Sequence, residues 1–78
     1  MKEKQIRLSS FQDVRELVTL ASSVDYRVLI AEGGKTVNAK SMMCMFSLDL
    51  RRPVTLLLDC DDDDFEAFSL KAARFEIV

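Results

Sequence analysis

Gln5-Ile6-Arg7-Leu8 alternates polar and apolar side chains, the period-two pattern of a short half-buried strand. Ser9 and Ser10 follow as helix-capping residues, and Ser9 with Gln12 has the spacing of a capping box. Phe11, Val14, Leu17, Val18 and Ala21 then fall on one helical stripe, which Ser22-Ser23 closes. The run from Tyr26 to Ala31 is β-branched and apolar, and Lys35 to Ala39 follows it across Glu32-Gly33-Gly34. A Gly pair supplies positive φ for a tight hairpin, so two antiparallel strands are predicted there. Ser41 opens a second, shorter helix carrying Met42, Met43, Met45, Phe46 and Leu48, which Arg51-Arg52-Pro53 breaks. Val54 to Leu58 reads as a buried strand. After an aspartate run, Phe65, Phe68, Ala72 and Phe75 line a third helix.

The order β-α-β-β-α-β-α predicts an α+β fold, an open-faced sandwich of a four-stranded antiparallel sheet with all helices on one face. With 78 residues the chain is a single domain, 1–78, with no room for two lobes and a cleft. Hydrophobic residues make up 49%, with two Gly and one Pro, which argues for a folded globule rather than a disordered segment. Net charge −2 lacks the basic excess of a nucleic-acid binder. The longest apolar run, Met42 to Phe46, is far short of the roughly 20 residues that span a bilayer. No apolar signal region follows the charged start, and Cys44 and Cys60 are too few for a disulfide scaffold. A reduced, cytoplasmic protein with both thiols filling the core is the expectation.

Histidine is absent from the sequence. That excludes imidazole acid–base catalysis and histidine metal ligation. The run Asp61 to Asp64 lacks the spacing of a calcium loop, and carboxylates at a helix start favour the macrodipole, so capping is the better account. No metal site and no cofactor are expected.

A more specific signal lies at Val37-Asn38-Ala39-Lys40-Ser41-Met42-Met43, continued by Met45-Phe46-Ser47-Leu48-Asp49-Leu50. This block resembles the signature around the regulatory serine of the HPr phosphocarrier family, whose members carry phosphoryl groups in the bacterial sugar phosphotransferase system. The outline of the whole chain is similar to the open-faced sandwich of that family. The resemblance implies that Ser41 is phosphorylated by the HPr kinase/phosphorylase and that the phosphorylated form binds a transcriptional regulator. It also implies a docking face for phosphotransferase-system proteins, here Lys40, Met42, Met43, Met45, Phe46 and Arg51. On this short helix Phe46 and Leu48 are expected inside and Met43 outside.

The sequence departs from the family where its carrier chemistry lies. Family members start the first helix with histidine, threonine, arginine and proline. Ungapped alignment through Leu17-Val18 puts Ser10, Phe11, Gln12 and Asp13 there, so serine replaces the histidine and glutamine the arginine. A phosphoramidate passes its phosphoryl group on readily, whereas a serine phosphoester does not. Ser10 is therefore expected to cap its helix, and Asp13 to repel a phosphate. The reading is an interaction or regulatory module, not an enzyme, acting through the helix that starts at Ser41. Two other readings stay open: a phosphotransfer component using a non-histidine group, and a small structural subunit whose apolar helix is a dimer face.

Overall fold

The computed structural model describes residues 1–77. Four strands, β1 (Lys2–Ile6), β2 (Val28–Glu32), β3 (Lys35–Asn38) and β4 (Val54–Leu58), form one antiparallel sheet in the order β1-β4-β2-β3. Three helices, α1 (Phe11–Ser22), α2 (Met42–Met45) and α3 (Asp62–Lys71), cover one face, and a 3₁₀ turn (Ala73–Phe75) follows α3. The predicted α+β sandwich and element order are both present.

Register decides which strand residues meet the helices. Ile6 pairs with Val54, Leu56 with Ile30, and Leu58 with Val28, and all six are buried. Val14, Leu17 and Ala21 of α1, Met45 of α2, Phe68 of α3 and Phe75 of the 3₁₀ turn close over them. Each large side chain so buried contributes roughly 1.5–3 kcal/mol. On the opposite face the sheet carries Gln5, Thr55, Leu57 and Leu29, partly open to water.

Several boundaries differ from the sequence reading. Strand β1 starts at Lys2 rather than Gln5, because Lys2 and Lys4 lie opposite Leu58 and Leu56 on the helix-covered side. Lys2 reaches out to pair with Asp62, while Lys4 pairs with Glu76 and lies over the Phe65 ring. Their alkyl stems cover apolar surface while the ammonium groups stay wet. Phe75 belongs to the 3₁₀ turn rather than α3, which stops at Lys71. Gly33 and Gly34, at φ 57° and 83°, make the hairpin turn in the left-handed region that favours glycine.

Candidate functional site

Helix α1 begins with Ser10 in extended backbone, its Oγ accepting from the Asp13 N–H at 3.2 Å. This is the capping role expected of Ser10, although the capping pair is Ser10 with Asp13 rather than Ser9 with Gln12. The Asp13 side chain turns back on the helix start. Its Oδ2 accepts from both the N–H and the O–H of Ser9, each at 2.9 Å. Its Oδ1 pairs with the Arg74 guanidinium from the 3₁₀ turn, which also pairs with Glu16. Asp13 is only 6% exposed. The Ser9 hydrogen bonds, led by the backbone N–H, hold its carboxyl below the usual carboxylate range against the opposing effect of burial, and Arg74 adds to them. The chain's own carboxylate thus sits at the positive end of α1.

Beside Ser10 lies an open groove of about 460 Å³ with Arg7, Leu50 and Arg51 in its walls. Arg7 Nη2 donates to the Arg51 carbonyl at 3.3 Å. Arg51 is not a free cation. Its Nε and Nη2 each donate to the Asp49 carboxylate at 3.0 Å. That guanidinium holds the Asp49 carboxyl down at about 2. Arg51 therefore carries a compensated charge.

Helix α2 starts at Ser41, whose Oγ accepts from the Cys44 N–H at 3.3 Å. One turn is too short to stand alone, so packing holds it. Met45 is the anchor, fully buried in the core. It is thus removed from the expected docking face. Met42 packs partly buried against that core, and Met43 is 84% exposed, as expected. Phe46 corrects the reading. It lies outside at 56% exposure, because Met45 and Leu48 take the inward positions. Cys44 is exposed too, so of the two thiols only Cys60 is partly covered.

Phe11 lies on the same helical stripe as Val14, Leu17 and Ala21, yet it is 58% exposed. It is the first residue of the helix and projects beyond the core onto α2, where its ring stacks on Phe46 with centroids 5.5 Å apart and planes 15° from parallel. Such a pair contributes roughly 0.5–1.5 kcal/mol beyond area burial. Phe11 and Phe46 form an exposed apolar stack that bridges the start of α1 and the end of α2, and Met43, three residues before Phe46, is exposed on the same short helix. Lys40 points elsewhere. Its Nζ donates to the Val24 carbonyl at 2.8 Å, so this charge serves the loop after α1.

The structure thus brings together Ser10 and Arg51 along one groove, and Phe11 and Phe46 in one stack. Lys40 and Met45 stand apart from both. At residues 13–75 the chain matches the family described as PTS HPr component phosphorylation site. The chain belongs to the HPr family. The matched span opens at Asp13, so Ser10 and Gln12 lie just before it. Two solved HPr structures share the fold. One is HPr-C-His from Thermoanaerobacter tengcongensis, with TM-score 0.76 and 26% identity over 95% of this chain and 89% of that one. The other is a phosphocarrier protein HPr from Bacillus anthracis str. Ames, with TM-score 0.72 and 26% identity over 96% of both chains. No curated protein sequence matches the chain significantly. Among the described residues, no helix of this HPr-family chain is long and apolar enough to cross a membrane.

Proposed function

We propose that this HPr-family chain is a cytoplasmic protein-interaction module of the phosphotransferase system without phosphohistidine carrier activity. The observation that carries this is the exposed surface of Phe11, Met43 and Phe46 beside Ser41. Stacked aromatics and an exposed methionine suit recognition of protein surfaces, because rings bind with little entropy loss and a thioether repacks. The partners are other proteins: phosphotransferase-system components, the HPr kinase, or a transcriptional regulator. The module needs no cofactor, catalyses no reaction and binds neither nucleic acid nor membrane.

The loss of carrier chemistry follows from residue types. The sequence has no imidazole. Ser10 occupies the aligned position and is committed to its cap, while the Asp13 carboxylate sits within the same helix start. A phosphate there would meet a buried like charge. At Ser41 a phosphate would add about −1.5 to −2 charge next to Met43 and Phe46, enough to change which partner this surface accepts.

Incubation with phosphoenolpyruvate and enzyme I of the phosphotransferase system tests the first half, and no acid-labile label is the expected result. Label at Ser41 with HPr kinase and ATP, absent in Ser41→Ala, is expected for the regulatory half. Met43→Ala is expected to leave folding unchanged and to weaken binding of a phosphotransferase-system partner. Acid-labile label on the chain would overturn the reading. As a dimer face the surface is small: three side chains stand against the roughly 800 Å² per partner of a specific interface. A monomer is expected by light scattering.

A further inference from the structure

We propose that the groove between α1 and the C-terminal end of α3 binds a small organic phosphomonoester, a role separate from partner docking at α2. The groove encloses about 390 Å³. That is within the roughly 300–1,000 Å³ of small-molecule sites. One bank is a stripe of α1 made by Gln12, Arg15 and Thr19, continued by Ser23 just past its end at steps of three and four residues. Lys71, at the end of α3, forms the other bank, and Leu20 with the buried Phe75 ring supplies an apolar floor.

Charge selects the ligand. Arg74 also lines the groove, but its one guanidinium faces two carboxylates, Asp13 and Glu16. Its single positive charge is outnumbered by these two, and Glu16 also lines the groove. Arg15 and Lys71 make no ion pair among the described residues, so two further cations stand on separate helices above an apolar floor and leave the groove net positive against Asp13 and Glu16. A phosphomonoester is close to dianionic at neutral pH and presents three acceptor oxygens. It matches one guanidinium and one ammonium through charge-assisted hydrogen bonds, with the Thr19 hydroxyl as a further donor. Its organic part would cover Leu20. A monocarboxylate would leave one cation unmatched.

The test uses phenyl phosphate and the full chain at about 0.15 M salt, where unspecific surface attraction is screened. Backbone amide resonances are followed by NMR during titration. Saturable shifts confined to residues 12–23 and 71–75 are expected. The double variant Arg15→Gln with Lys71→Gln replaces two exposed side chains, so the spectrum is expected to keep its dispersion while affinity falls at least about tenfold. Phenol and inorganic phosphate, each alone, are expected to bind at least about tenfold more weakly than phenyl phosphate. Shifts that never saturate, an equal response to inorganic phosphate, unchanged affinity in the double variant, or shifts centred on Ser9, Ser10 and Arg51 would each overturn the assignment.

Discussion

Helices α1 and α2 begin in the same way and end in opposite roles. Each opens on an extended serine whose Oγ accepts the N–H three residues on, Asp13 for Ser10 and Cys44 for Ser41. The third helical residue makes the difference. In α1 it is a carboxylate that folds back onto Ser9 and ties the helix start to Arg74, far along the chain. In α2 it is an uncharged, exposed thiol with no such tie. A serine cap therefore fixes where a helix starts, while the residue at the third position decides whether that start is tied to the rest of the fold or left exposed.

The largest way to break this comparison is to remove what holds α2 in place. Met45→Ala is expected to destabilise the fold by about 2–5 kcal/mol, because the buried side chain leaves a cavity under a one-turn helix. Urea unfolding measures it, and a loss below about 1 kcal/mol would show that α2 is held by its cap instead.

Next comes the seal on α1. Asp13→Ala is expected to cost about 1–3 kcal/mol, less than a fully buried pair because Arg74 is half exposed and keeps Glu16. Its pH signature has a definite sign. The folded-state carboxyl is held below its unfolded value of roughly 3.9, so the stabilisation is present above about pH 4 and is lost as pH falls through the folded value. Asp49 loses its share in the same direction toward about 2, so the difference between the parent chain and Asp13→Ala isolates the Asp13 part. Equal acid sensitivity in the two proteins would refute the seal.

How much of this was legible in the sequence depends on how local the cause was. The caps, the glycine hairpin and the inward stripe of Val14, Leu17 and Ala21 were readable because their determinants lie within one or two turns. The first half of β1 is invisible to the alternation because Lys2 and Lys4 look like loop residues until Leu58 and Leu56 are placed opposite them. Phe11 and Phe46 both looked like core, since an aromatic in register with a stripe usually is. Their exposure follows from α1 and α2 meeting past the sheet's cover, which no local pattern encodes. The Asp13–Arg74 pair joins residues 61 positions apart, and single-sequence periodicity carries no trace of it. Ser10 and Gln12 were legible as a departure from the family's motif, whereas the Asp13–Arg74 pair beside them was not.

Two smaller effects sharpen the contrast. A double-mutant cycle of Phe11→Ala and Phe46→Ala is expected to give a coupling of about 0.5–1.5 kcal/mol, reporting the stack that joins the sealed helix to the open one. Zero coupling would mean that the two rings are independent in solution. Cys44→Asp copies the third residue of α1 into α2 and is expected to stabilise by about 0.3–1 kcal/mol through the helix dipole, read as a rise in the urea midpoint. No gain would indicate that one turn is too short to present a usable dipole.

The segment after α3 returns to the first strand: Glu76 bridges Ile6, and the Arg7 N–H donates to the Phe75 carbonyl at 2.8 Å. This pairing is made at the C-terminal end of β1, so the segment after α3 is fixed to the sheet and closes over it. A sensor or tag could be inserted between Gly33 and Gly34, where the loop tip has empty space around it. An insertion there would leave α1 and α2 continuous.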